Sequence, residues 1–201
     1  MEPWANERWD AVTKVFHWCI ATAIAITAPV GYVMSTTYGA SFKDARALQL
    51  HLLAAQIHHT LGILVLATAL IWIVRRLVRG RPAAPIGPWY ARSAAGIVHF
   101  ALLLLLVLLP LTGWAAISAL ADSDKFGATH LWFFSTDHLL PRIWQPLPFD
   151  DPSGYAQFAQ WHIWGLWTGL ALVSLHLPAA LWHHWVRRDS VLRRMWPLAG
   201  P

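Results

Sequence analysis

Histidine recurs in stretches of this chain that are otherwise apolar, most visibly in QWHIWGLWTGLALVSLHLPAALWHHW near the C-terminus. That segment carries His162, His176, His183 and His184, and it contains no acidic side chain that pairs with them. Imidazole nitrogens bind metal ions and exchange protons near neutral pH. Ionisable groups in such apolar surroundings are costly and usually have a function, so the set predicts a binding site within the protein.

The spacing of two of these histidines predicts a stacked pair of sites. His162 and His176 are 14 residues apart, which on an α-helix returns to within about 40° of the same face and rises about 21 Å. Each side chain then needs a partner at its own depth, and that partner must come from another helix.

The elements that position these side chains are four apolar helices. Hydrophobic residues make up 57% of the chain and charged residues 12%, against about 25% charged in an average soluble domain. Four stretches contain no charged residue, and each exceeds the roughly 20 residues that cross a membrane as a helix. A β-barrel would need short alternating segments, which are absent. We expect one all-α integral membrane domain over 1–201, a four-helix bundle with spans at about 12–37, 47–76, 93–119 and 156–185.

The distribution of basic residues predicts the orientation of the bundle. Eleven Lys and Arg residues fall in the two tails and the second connection, and four fall in the first and third connections, namely Lys43, Arg46, Lys125 and Arg142. The positive-inside rule then places the N- and C-termini in the cytoplasm. The net charge of +5 is explained by this asymmetry, and no motif indicates nucleic acid. Cys19 is the single cysteine, so no internal disulfide can form.

With this topology, the histidines fall at two levels. His58 lies at the outer level with His162, and His51 and His59 are less favoured neighbours. At the inner level, His17 and His99 are both candidates to face His176. Pairs of imidazoles without thiolate or carboxylate suit two six-coordinate haem irons better than zinc or a di-iron centre. Such irons transfer electrons and do not readily bind oxygen. No CxxCH motif occurs for covalent attachment, so both groups would be haem b.

Glycines near these histidines are expected to allow a flat macrocycle to approach the backbone. Gly165 and Gly169 follow His162 on its own helix face, and Gly62 follows His58 by four positions. Taken alone, the GxxxG spacing of the first two more often indicates plain helix packing.

Five segments resemble one protein family. They are KVFHW around His17, QIHHTLGILVL around His58, VHFALLLLLVLLPLTG around His99, WH at His162, and LHLPAALWHH followed by DSVLRRMWP. In this order they resemble the bacterial cytochrome b561 family and, more distantly, the cytochrome b subunits of membrane-bound hydrogenases and formate dehydrogenases. The third connection looks longer than is usual in the family.

The resemblance implies a pairing and a function. It implies haem ligation by His17 with His176 and by His58 with His162, in a bacterial inner-membrane protein surrounded by lipid. It also implies a quinone such as ubiquinone as one redox partner, and it allows superoxide as an electron donor at the outer haem. The basic residues of the external connections would steer an anion there, although Asp122, Asp124, Asp150 and Asp151 oppose them.

Several alternatives remain open at this point. His59 can replace His58, since adjacent helix positions differ by about 100°. His99 can contact a quinone, bond a haem propionate or simply pack. His183 and His184 are expected to be solvated, and nothing marks His130 or His138 as ligands. The chain can instead be the membrane anchor of a larger dehydrogenase or hydrogenase that receives electrons from a redox partner protein, or a haem-free transporter that carries protons on histidine.

Overall fold

The protein consists of four long α-helices in a computed structural model that describes residues 9–80, 88–120, 131, 143 and 151–196. The helices are α1 (Ala11–Ser41), α2 (Ala45–Arg79), α3 (Trp89–Ser118) and α4 (Pro152–Trp185). All four are long and apolar enough to cross a membrane. The predicted all-α, four-span fold is therefore confirmed. Lys125, Arg142, His130, His138, Asp122, Asp124 and Asp150 lie outside the described residues.

Three of the helices begin at an aspartate. Asp10 accepts a hydrogen bond from the backbone N–H of Thr13 at 3.0 Å. Asp44 and Asp151 cap α2 and α4 in the same way. A capping carboxylate satisfies backbone N–H groups that have no partner within the helix. Because these charged caps stand outside the apolar stretches, the helices begin one to four residues before the predicted spans.

The helices pack as two antiparallel hairpins. α1 lies along α2, α3 lies along α4, and α2 also contacts α3. Large apolar side chains remain exposed around the outside of the bundle, among them Ile71 (57% exposed), Ile97 (68%) and Trp164 (61%). Such an extensive apolar exterior is what a lipid environment covers.

Candidate functional site

Contacts between distant parts of the chain define one end of the bundle. The guanidinium of Arg75 donates to the Asp10 carboxylate at 2.7 Å, and the indole N–H of Trp18 donates to the Met195 carbonyl at 2.8 Å. The start of α1, the end of α2 and the segment after α4 therefore meet. We call this the inner end and the opposite one the outer end.

The Asp10 carboxylate is stabilised in its charged form at the inner end. Burial alone would raise the pKa of Asp10, but hydrogen bonds from Thr13 and Arg75 outweigh it and lower the pKa to about 2. The cap of α1 and its ion pair with α2 thus persist at any physiological pH.

Toward the outer end, the structure brings His58 of α2 and His162 of α4 together. We call them the outer pair; their ring centroids are 5.9 Å apart and the ring planes cross at 73°. Each Nδ1 lies against a backbone carbonyl of a neighbouring helix, His58 against Thr27 of α1 at 3.1 Å and His162 against Leu109 of α3 at 2.8 Å. A ring that donates from Nδ1 keeps Nε2 as its free acceptor, which is how metal-binding histidines are oriented in proteins.

Two glycines allow these rings to approach the neighbouring helices. A Cβ at Gly31 would stand 2.7 Å from Cε1 of His58, and a Cβ at Gly113 would stand 3.0 Å from Cε1 of His162. Each glycine is four residues after the carbonyl that its histidine contacts. The same helical turn therefore supplies both the acceptor and the space for the ring.

A second group of imidazoles lies nearer the inner end. His17 of α1 and His176 of α4, the inner pair, have ring centroids 6.4 Å apart. The ring of His99 on α3 is closer to His176, at 5.1 Å, and nearly perpendicular to it. The inner pair is oriented differently from the outer one, because the buried Nδ1 of His17 has no hydrogen-bond partner within the described ranges.

The distance between the ring centroids in each pair fits a metal ion bound between the two imidazoles. Two imidazoles that each bind a metal at about 2 Å have ring centroids roughly 6 Å apart. The 5.9 and 6.4 Å separations match this value, whereas the 5.1 Å between His99 and His176 is short for it. Within the described part of the chain, no group of three or more His, Cys, Asp or Glu side chains is arranged to hold a metal ion. The donor sets are thus imidazole pairs, which fit the axial positions of a haem iron.

The two alternative outer histidines are placed differently from His58. His51 lies one heptad away on α2, with its Nδ1 2.9 Å from the Met34 carbonyl and its ring 5.5 Å from that of Tyr38. The ring of His59 packs edge-on to that of His58 at 6.0 Å. Of these histidines, His58 has the ring contact with His162.

The structure adds a partner for His183 and corrects the interpretation of Gly165. His183 is partly exposed, as expected, but it also has an acidic partner from beyond the apolar segment, since its Nδ1 lies 2.5 Å from the Asp189 carboxylate. Burial tends to raise the pKa of Asp189, but hydrogen bonds from His183 and the Val191 N–H lower it overall. Gly165 was expected to face a macrocycle, but a Cβ there would stand 2.5 Å from Leu109. Gly165 therefore serves the packing of α4 on α3.

Sequence reasoning missed the groups that orient the outer pair. Thr27 and Leu109 act through backbone carbonyls, which leave no signature in residue type. Gly31 and Gly113 did carry a signal, since glycine within an apolar helix often marks a close approach. Pro29 and Pro110, near these glycines, point to the same two turns.

Comparison with known proteins agrees with this architecture. Residues 8–198 match the family model described as prokaryotic cytochrome b561. The chain is 28% identical over 193 residues to "Cytochrome b561 homolog 2" of Escherichia coli (strain K12), with 94% of this chain and 91% of the relative covered. It is 27% identical over 199 residues to "Cytochrome b561 homolog 1" of the same organism, with 94% and 97% covered. The chain therefore belongs to the prokaryotic cytochrome b561 family, and it is a bacterial membrane b-type cytochrome of electron transfer.

Proposed function

We propose that the chain binds two haem b groups and carries electrons across the membrane between a quinone pool and a redox partner. The inner pair, His17 and His176, would hold one haem, and the outer pair, His58 and His162, would hold the other. The observation that carries this proposal is the recurrence of one arrangement at two depths. In each pair a histidine of α4 faces a histidine of the first hairpin across roughly the distance that a shared metal ion requires.

The separation of the pairs along α4 suits transfer across the bilayer. His162 and His176 are 14 residues apart, which corresponds to about 21 Å of helix. The hydrocarbon layer is about 30 Å thick. Two sites at these depths divide the crossing into short steps, each within the apolar interior.

The protein's own groups determine what each site can do. When bound, haem supplies a one-electron Fe(III)/Fe(II) couple. Two histidines at each site would hold the iron from both sides, which would leave no position at which oxygen could bind. The Thr27 and Leu109 carbonyls hold the outer rings in one tautomer and one orientation, which limits their movement as the charge of the site changes.

His99 is the residue that we assign to quinone. It lies beside the inner pair, with its ring 5.1 Å from His176, and its spacing is short for a second ligand. Quinones move within the bilayer and need a polar group near a haem edge to bind. A His99→Leu variant should keep both haem spectra nearly intact yet slow haem oxidation by ubiquinone. Unchanged quinone kinetics, with slowing instead in His51→Leu, would move the quinone site to the outer end.

The orientation and the external donor belong to the same proposal. The excess of basic residues at the inner end supports a cytoplasmic position for both termini in the bacterial inner membrane. Lys43 and Arg46 lie at the outer end, where they can attract an anion such as superoxide. Addition of superoxide to oxidised protein in sealed vesicles should then reduce haem only from the outer face.

The decisive experiment is a visible spectrum of the purified protein, oxidised and reduced, with the haem-to-protein ratio. We expect two low-spin b-type haems per chain. His58→Ala and His162→Ala should each lose the outer haem, and His17→Ala and His176→Ala the inner one. His51→Ala is the matched control and should retain both. A ratio of one, or loss of a haem from His99→Ala but not from His17→Ala, would overturn the assignment.

A further inference from the structure

The histidines of the two pairs differ in what their Nδ1 atoms contact. A carbonyl oxygen only accepts hydrogen bonds, so the Nδ1 atoms of His58 and His162 must each carry the proton that is donated. The acceptors are the Thr27 carbonyl at 3.1 Å and the Leu109 carbonyl at 2.8 Å. Both outer rings are therefore fixed as donors at Nδ1, each with a backbone acceptor from a neighbouring helix.

The inner pair has no counterpart of these contacts within the described ranges. The Nδ1 of His17 is buried and has no hydrogen-bond partner there. The His176 ring contacts two other imidazoles, those of His17 and His99, and no backbone carbonyl of the described residues accepts a hydrogen bond from it. Both sites thus offer two imidazoles, but the outer two are hydrogen-bonded to backbone and the inner two are not in this part of the chain.

A hydrogen bond from Nδ1–H changes how strongly an imidazole donates electrons through Nε2. An acceptor at Nδ1 draws the proton away from the ring and raises the basicity of the ligand. A more basic ligand stabilises Fe(III), the more positive oxidation state, over Fe(II). It therefore lowers the midpoint potential of a haem, and hydrogen bonds around the ligands are one of the means by which a protein sets that potential.

We propose that the Thr27 and Leu109 carbonyls lower the midpoint potential of the outer haem below that of the inner haem. This inference rests on the proposed function, because it requires a haem between the two histidines of each pair. Electrons move toward the higher potential, so they enter the protein at the outer site and leave it from the inner site.

This order of potentials suits the partners at the two ends. One electron passes from a donor near Lys43 and Arg46 to the outer Fe(III), and then from the outer Fe(II) to the inner Fe(III). Two such electrons, with two protons from the inner aqueous phase, convert a quinone near His99 into a quinol. The carbonyl contacts of α1 and α3 would thus give electron transfer across the bilayer its direction.

The test weakens one acceptor without changing any side chain. Replacing Ala28 by lactic acid converts the peptide group after Thr27 into an ester, whose carbonyl oxygen is a weaker acceptor for His58. Replacing Ala25 by lactic acid makes the same ester three residues earlier in α1, at the Ile24 carbonyl, and is the matched control. Both full-length proteins are made by cell-free suppression of a stop codon.

Two measurements are made on each protein. Potentiometric titration gives the midpoint potentials of the haems. His17→Ala, which should keep the outer haem, and His58→Ala, which should keep the inner one, assign each potential to its site. NMR of the reduced, diamagnetic protein with ¹⁵N-labelled histidine shows which Nδ1 protons are hydrogen-bonded, and this second readout does not depend on activity.

In wild-type protein the outer midpoint potential should lie below the inner one by the equivalent of a tenfold change in the Fe(III)/Fe(II) ratio, or about 59 mV. The Nδ1 protons of the outer pair should resonate downfield of those of the inner pair. The ester at residue 28 should raise the outer potential by the equivalent of about a threefold change in that ratio. It should also move the His58 Nδ1 proton upfield and leave the inner potential unchanged. The ester at residue 25 should change neither quantity.

Equal midpoint potentials, a higher potential at the outer haem, or an unchanged outer potential in the residue 28 ester would overturn the proposal. If that ester does not accumulate, Gly113→Ala provides a second test, because a Cβ there would stand 3.0 Å from Cε1 of His162. The displaced ring should lose contact with the Leu109 carbonyl, and the outer potential should rise, while Gly39→Ala should leave it unchanged. Failure of the proposed function is distinguishable, because His17→Ala and His58→Ala would then not each retain one haem.

Discussion

Replacing Gly31 with alanine tests how tightly α1 holds the outer pair. The new methyl carbon would stand 2.7 Å from Cε1 and 2.8 Å from Nδ1 of His58. Carbon atoms normally approach to about 3.5–4.0 Å, so the ring has to retreat by roughly 1 Å. That movement lengthens the hydrogen bond between His58 and the Thr27 carbonyl, now 3.1 Å. The ring cannot rotate away freely, because it must also face His162.

The expected effect is large compared with the size of the change. Overpacking costs about 1–3 kcal/mol, and a lost hydrogen bond costs about 0.5–1.5 kcal/mol. Substitutions of groups that orient a metal ligand typically weaken binding about 10–100-fold. Under the proposed ligation we expect binding of the outer haem in Gly31→Ala to weaken within that range. Alanine otherwise favours a helix over glycine by about 0.5–1 kcal/mol, so helix propensity cannot explain a loss.

The assay is the rate of haem transfer from detergent-solubilised protein to excess apomyoglobin, followed at the wavelengths of each haem. Gly39→Ala is the matched control in the same helix, because a Cβ there has no neighbour within 4 Å. The rate of outer haem release from Gly113→Ala should lie between the rates of these two variants, since a Cβ at Gly113 would stand 3.0 Å from Cε1 of His162. The reasoning is refuted if Gly31→Ala and Gly39→Ala release the outer haem at equal rates, or if Gly31→Ala releases the inner haem first.

Three further predictions concern the inner end. Asp10→Ala removes a helix cap and should lower the free energy of unfolding by about 0.5–2 kcal/mol, whereas Asp10→Asn keeps the cap and loses only the ion pair. Because the pKa of Asp10 is about 2, the stabilisation by its carboxylate is complete above pH 4 and is lost as the pH falls through 2. SDS unfolding curves measure both effects. Trp18→Phe removes the hydrogen bond to Met195 and should speed proteolysis of the C-terminal segment, while Trp164→Phe, an exposed control, should not. Asp189→Asn should also loosen that segment, since His183 loses a charged acceptor; an unchanged cleavage rate would contradict the pairing.

The four helices were predictable because apolar length alone identifies a membrane span. The stretch from Val15 to Phe42 contains no charge, so its helical form followed from the need to satisfy backbone hydrogen bonds in lipid. The exact starts were not predictable in the same way. Asp10, Asp44 and Asp151 cap their helices from outside the apolar stretches, so a criterion based on hydropathy stops short of them.

The sequence predicts candidate residues for the site, but it predicts few of their contacts. The 14-residue interval between His162 and His176 indicated two levels without any structure. Whether His17 or His99 faces His176 depends on how far α1 and α3 are shifted along α4. The periodicity within one helix gives no information about that shift. The carbonyl contacts of the outer pair were inaccessible for a different reason, since every residue has a carbonyl and only the packing selects one.

The placement of both α4 histidines has a consequence for how the protein is made. α4, Pro152–Trp185, leaves the ribosome after the other three helices that the structure describes. Under the proposed ligation, a nascent chain that ends before His162 carries one of the two histidines of each haem site, so neither site is complete. Under that ligation neither haem can be held until translation has reached α4. A chain truncated before His162 should then bind no haem at either site.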